Sequence, residues 1–158
     1  MCRYTNLNQT QSFKEIFGAH TDSSFITVVP VALVSGLEVY DEDAETWYRP
    51  ELMARKHWEQ QQQDSGEESS WHARYVVMMP GELLQLLTRN EVPATVHRVV
   101  AVHDGPSRIS SPMLLRGRPG TKMDVARYLD KDDDPLLTEC DGMTIEQIHD
   151  AMQPASFQ

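Results

Sequence analysis

The sequence predicts a mainly β domain of sandwich or barrel type that closes with a helical tail. Seven short segments rich in β-branched, aromatic or aliphatic residues are separated by Gly, Pro, Asp or Asn, the spacing of folds assembled from many short strands. Composition then changes twice, to polar helix formers near residues 51–63 and to helical periodicity after Arg118-Pro119-Gly120. A length of 158 residues is that of one domain, able to bury roughly two thirds of its unfolded surface.

The predicted strands are 2–7, 25–33, 37–40, 73–79, 83–88, 96–102 and 109–115. Phe25-Ile26-Thr27-Val28-Val29 is β-branched and leads into Pro30, while Val99-Val100 and the alternating apolar residues of 75–79 and 83–87 fit pleated, half-buried strands. Residues 51–63 hold Arg, Lys, Glu and a run of four Gln, good helix formers with little β preference, so a surface helix is inserted there. Asp64-Ser65-Gly66-Glu67-Glu68-Ser69-Ser70 has almost nothing to bury and reads as a loop completing a polar insertion at about 51–70. Residues 123–129 suit a short helix. The charged stretch 130–135 lacks the Gly and closing Glu of a calcium loop and reads as a solvated turn. Thr144 with Gln147 three residues on forms a capping box, and Ile145, Ile148, His149 and Met152 follow at helical spacing, which predicts a helix packed on the outside of the barrel.

Formal net charge is −10, a field that repels nucleic-acid phosphates and anionic lipid. Cys2 and Cys140 are too few for a disulfide framework, no basic-then-apolar signal opens the chain, and the longest apolar stretch is far too short to span a bilayer. The expectation is a cytoplasmic protein that binds neither nucleic acid nor membrane.

Three short pieces carry chemistry. His20-Thr21-Asp22 places an imidazole and a carboxylate at i and i+2, which a strand directs to one face. His97, within Val96-His97-Arg98-Val99, offers a second imidazole from a distant strand. Two histidines and one carboxylate form the facial triad of non-haem Fe(II) oxygenases, which leaves the opposite face of the metal open. Arg108-Ile109-Ser110 directs a guanidinium and a hydroxyl into the same interior. Either dipeptide spacing recurs by chance in a chain of this size; a surface His beside a turn carboxylate, a buried His97 bonded to a carbonyl, and an Arg108 paired with one of 24 acidic residues are the bland alternatives. Arg98 is read as structural, and His57, His72, His103 and His149 as surface or packing residues.

Order and context decide between them. Gly18-Ala19-His20-Thr21-Asp22, then Phe25-Ile26-Thr27-Val28-Val29, Gly36-Leu37-Glu38-Val39 and Trp47, then Gly81-Glu82-Leu83-Leu84-Gln85, Pro93-Ala94-Thr95-Val96-His97-Arg98-Val99 and Arg108-Ile109-Ser110 resemble, in order, the 2-oxoglutarate/Fe(II)-dependent dioxygenases of the isopenicillin-N-synthase-like branch. The chain departs from that pattern at Met79 and Glu82, where relatives usually carry Asn and Asp, and at Thr5, where many carry a tyrosine.

The resemblance implies a double-stranded β-helix, or jelly roll, with its catalytic core over 1–118 and a helical extension over 119–158. It implies Fe(II) held by His20, Asp22 and His97, with 2-oxoglutarate and dioxygen as cosubstrates. Arg108 would hold the keto acid's distal carboxylate, since a guanidinium offers a planar fork matched to it, and Ser110 would add a hydroxyl. Glu82 and Gln85 are assigned to structure. The implied reaction is hydroxylation, desaturation or ring closure of an unidentified small organic molecule, coupled to conversion of the keto acid to succinate and carbon dioxide. A keto-acid-independent Fe(II) oxidase would keep the same triad. The region that precedes the barrel in relatives has no counterpart before Arg3-Tyr4, so the chain is also expected to be a poor enzyme, or a non-catalytic metal-binding or interaction protein. Self-association is expected through an uncovered barrel face drawing on Phe13, Ile16, Phe17 and the segments 75–79 and 83–87.

Overall fold

The computed structural model of the chain describes residues 1–4, 15–61, 71–101, 106–124 and 138–152. Among the described residues nine strands run Cys2–Tyr4 (β1), Glu15–His20 (β2), Ile26–Pro30 (β3), Leu37–Asp41 (β4), Thr46–Tyr48 (β5), Val76–Pro80 (β6), His97–Val100 (β7), Arg108–Ser110 (β8) and Met113–Leu115 (β9). The helices are Pro50–Gln61 (α1), Glu82–Leu87 (α2) and Ile145–Met152 (α3), with a short 3₁₀ turn at Trp71–Arg74. A four-stranded sheet has the order β2-β7-β4-β5, a three-stranded sheet the order β6-β3-β9, and β1 pairs with β8. Every pairing is antiparallel.

Alternation along the strands sets the interior. Along β6, Val76 and Met78 face out while Met79 is buried, and Met79 packs with Val29 and Val39 across the two sheets. On the opposite face of β4, buried Glu38 receives Arg49 Nε at 3.0 Å and Arg98 Nε at 2.8 Å, and the Arg98 guanidinium lies 4.0 Å over the Trp47 ring. Arg98 is structural, as its sequence context predicts. The outer face of β6-β3-β9 leaves Val76, Met78, Met113 and Leu115 more than half exposed.

Several elements differ from the sequence expectation. Residues 83–88 are not a strand: Glu82–Leu87 is helical, because Leu83 and Leu86 meet Cys140, Ile145 and Ile148 at helical spacing and leave the barrel wall. Those leucines are therefore core, and of the expected surface only Phe17, Val76, Met78 and the margin at Leu87 are exposed, while Phe13 lies outside the described residues. Predicted strand 109–115 is two strands, divided at Ser111-Pro112, since a proline has no N–H for a ladder. Strands β2 and β5 lie outside the seven segments expected from the sequence. The predicted helix 123–129 and turn 130–135 fall almost wholly outside the described residues, as does the loop at 64–70. Helix α1 begins at Pro50, where a missing N–H costs nothing, and is exposed or half-buried except at Glu51. The capping box forms as predicted: Thr144 N donates to Gln147 Oε1 at 2.9 Å and Gln147 N to Thr144 Oγ1 at 3.3 Å. Ile145 and Ile148 then seat α3 against α2. Among the described residues, no helix is long and apolar enough to cross a membrane.

Candidate metal centre

His20 is the last residue of β2 and is directly opposite His97, the first residue of β7. Antiparallel pairing alone therefore brings two imidazoles side by side, with ring centroids 4.2 Å apart. Asp22 does not share a strand with His20, as the i, i+2 spacing suggests; it lies in the turn beyond the strand end and is brought back by other contacts. Thr27 on β3, itself buried, donates its hydroxyl to Asp22 Oδ2 at 2.5 Å, and Ser24 Oγ is 3.0 Å from the same hydroxyl. The first turn of α2 holds the other side of the turn. Glu82 N donates to Asp22 O at 2.8 Å and Leu83 N to Ser24 O at 3.1 Å, so helix donors that have no partner within the helix are met by the loop that carries Asp22. Thr21 Oγ1 donates to Glu82 Oε1 at 2.5 Å, which gives Glu82 the structural role expected of it. Gly81 fits between these chains because it has no side chain: a Cβ there would stand 2.2 Å from Ser24 O and 2.7 Å from Asp22 O. Gln85, also structural, accepts from Ala94 N at 2.8 Å and donates to Asn90 Oδ1 at 2.8 Å, fixing the approach to His97.

The two imidazoles are oriented in the same way. His20 Nδ1 lies 2.8 Å from Gly18 O and His97 Nδ1 lies 3.0 Å from Thr95 O. A carbonyl only accepts, so each Nδ1 carries the proton and each Nε2 is left with its lone pair. Both Nε2 atoms face Asp22, at 3.6 Å from Oδ1 for His20 and 3.7 Å from Oδ2 for His97. The three side chains can each offer one ligand atom within 4.8 Å of the other two. An open His₂-carboxylate set with its outer nitrogens hydrogen-bonded suits a first-row divalent ion with sites left for other ligands. The donors thus fit iron.

Electrostatics divides the two histidines. Contact with Asp22 raises His20 above the ordinary histidine value, against the effect of its partial burial. Burial pushes His97 down, outweighing the hydrogen bond to Thr95 O. For Asp22 burial acts upward, yet its contacts with His20 and Thr27 and the charges of both imidazoles carry it below the usual carboxylate range.

The triad opens on a cavity of about 180 Å³ between the sheets, walled by Val29, Leu37, Met79, Val99 and Leu114 and also by Arg108 and Ser110. Along β8 Arg108 and Ser110 are buried and Ile109 exposed, the alternation expected from the sequence. Arg108 has an acidic partner as well, but not on an exposed strand: Glu51 of α1, 1 % exposed, takes Nη2 at 2.6 Å. Sequence reasoning had no signal for Glu51, which is remote from every motif and belongs to a polar helix.

Residues 1–117 match the 2OG-Fe(II) oxygenase superfamily. No curated protein matches the sequence. Among solved structures, the chain is similar to JOX2 in complex with 2OG, Fe and JA, with a TM-score of 0.54 and 18% identity over 91% of this chain and 36% of that one. It is similar to a full-length Neurospora crassa protein solved in complex with alpha-KG and thymine, with a TM-score of 0.53 and 19% identity over 89% and 38% of the two chains. It is also similar to a dioxygenase for auxin oxidation in rice, with a TM-score of 0.50 and 21% identity over 87% and 40%. Likeness at these identities establishes the fold, the expected double-stranded β-helix. The chain spans under half the length of each of these three solved proteins.

Proposed function

The chain belongs to the 2OG-Fe(II) oxygenase superfamily, and on that premise we propose that it binds Fe(II) through His20, Asp22 and His97 and 2-oxoglutarate through Arg108 and Ser110, and oxidises a small organic substrate. The observation that carries the reading is the placement of both Nε2 atoms toward one carboxylate, on the wall of a cavity that also holds a buried guanidinium and hydroxyl.

Each residue has a defined part. Gly18 O and Thr95 O hold the imidazoles in the tautomer that presents Nε2, and Thr27 fixes the rotation of the Asp22 carboxylate. These three residues would hold the iron and would leave coordination positions for cosubstrates. Arg108 supplies the charge-assisted hydrogen bonds that orient the distal carboxylate, and Ser110, two residues along β8, supports the same group. Val29, Leu37, Val99 and Leu114 exclude water from the reacting centre. Bound iron with the keto acid supplies the activation of dioxygen, chemistry that no side chain offers. The substrate class proposed is a small organic molecule in the chemical range of the thymine, JA or auxin named for the similar solved proteins.

Two other readings have a specific observation each. The existing Glu51 partner of Arg108 favours a keto-acid-independent oxidase with the same triad. The exposed Val76, Met78, Met113 and Leu115 favour a non-catalytic protein that self-associates through that sheet face. Metal analysis, anaerobic titration with 2-oxoglutarate, succinate formation and light scattering separate the three. Stoichiometric iron with keto-acid binding and turnover is the expected result. Iron without keto-acid binding selects the oxidase, and absence of stoichiometric metal overturns the proposal.

A further inference from the structure

Glu51 is the most deeply buried charged side chain among the described residues, although it is carried by a helix that is otherwise exposed or half-buried. Its Oε2 accepts from Gly36 N at 2.6 Å and Leu37 N at 3.0 Å, and its Oε1 accepts from Arg108 Nη2 at 2.6 Å. A Cβ on Gly36 would meet Arg108 Cδ at 2.8 Å, so the arginine stem lies directly on the backbone that holds Glu51. Leu37 and Arg108 line the cavity, whereas Glu51 stands behind that wall.

We propose that Glu51 is the resident counter-ion of Arg108 and sets how strongly the site distinguishes a dicarboxylic 2-oxo acid from a monocarboxylic one. The proposal rests on the reading of Arg108 as the keto-acid anchor. A guanidinium buried without a counter-charge is strongly destabilising, so the ligand-free barrel depends on Glu51. An arriving distal carboxylate meets a positive charge that is already compensated, and it places a second anion beside the same guanidinium in a poorly screened interior. The distal carboxylate therefore gains less than Arg108 alone would give it. A glutamine at 51 keeps the shape and an acceptor for the two backbone donors but removes one negative charge beside Arg108, so the arriving carboxylate no longer competes with it. The ligand-free fold loses stability while the dicarboxylate gains affinity. An oxo acid without the distal group gains nothing, and the ratio of the two affinities isolates the effect from general changes in the site.

The test is anaerobic calorimetry of the Fe(II)-loaded full chain with 2-oxoglutarate and with 2-oxopentanoate, which has the same number of carbons and no distal carboxylate. The unaltered protein is expected to prefer 2-oxoglutarate by less than about a hundredfold, below what an uncompensated bidentate arginine would give. Glu51→Gln is expected to raise that preference by about tenfold or more, through tighter 2-oxoglutarate binding, and to lower the thermal midpoint. A preference unchanged or reduced in Glu51→Gln overturns the role given to Glu51. If that variant does not fold, the unaltered protein decides, since a preference beyond about a hundredfold there has the same meaning. Binding of neither acid overturns the keto-acid reading itself and this proposal with it.

Discussion

The Thr27 hydroxyl donates to Asp22 Oδ2 at 2.5 Å from a position that is 1 % exposed, so the rotation of the candidate carboxylate ligand is set by a strand in the opposite sheet. Groups that orient metal ligands typically influence affinity by tenfold to a hundredfold. Thr27→Val, which keeps the shape and removes the donor, is expected to weaken metal binding by about tenfold or more while the fold persists. Competitive metal titration with circular dichroism checks it. Unchanged affinity would show that Asp22 is held by its loop alone.

His97→Ala removes the buried imidazole, a candidate nitrogen ligand, that β7 holds directly across from His20. Two of the three candidate ligands then remain, both in or beside one loop. Stoichiometric metal binding is expected to be lost, and full occupancy in this variant would sink the site assignment.

Affinity for the metal should depend on pH with a particular sign. Contact with Asp22 raises His20 above the ordinary histidine value of about 6.5, so an incoming ion must displace a proton from it even above that pH. His97, lowered, is neutral through this window, and Asp22, lowered, is ionised throughout. Apparent affinity should therefore rise as pH increases through 6.5 and continue to rise beyond it until His20 is neutral. A profile already flat above 6.5 would contradict the raised value.

Arg108→Lys keeps a positive charge but not the planar fork, and it disturbs the contact with Glu51. Charge-assisted hydrogen bonds contribute about 1.5–3 kcal/mol each, so 2-oxoglutarate affinity is expected to fall by about tenfold or more. Calorimetry under anaerobic conditions measures it. An unchanged affinity would remove Arg108 from the keto-acid site.

The parts of the site that could be read from the sequence are those fixed by local geometry. Arg108 and Ser110 share a face because strands alternate, and Thr144 with Gln147 caps α3 because that spacing closes two hydrogen bonds. What could not be read depends on contacts across the fold. Leu83–Leu87 is short and apolar enough to fit either period, and only the packing of Leu83 and Leu86 on Ile145 and Ile148 selects the helix. Asp22 lies near His20 as expected, but through Thr27 and the first turn of α2 rather than through a continuous strand. Glu51 is separated from Arg108 by 57 residues, and nothing in its polar helix marks it as buried.

At Gly81 the loop that carries Asp22 and the start of α2 touch backbone to backbone, with 2.2 Å between Ser24 O and the point a Cβ would occupy. Beside the side-chain contacts of Thr27 and Glu82, the location of the carboxylate thus rests on peptide groups, which all residues share. Redesign of the cavity walls at Val29, Leu37 or Val99 can change what the pocket accepts without relocating the ligand loop. Position 81 has no such latitude: even alanine would drive the two segments apart.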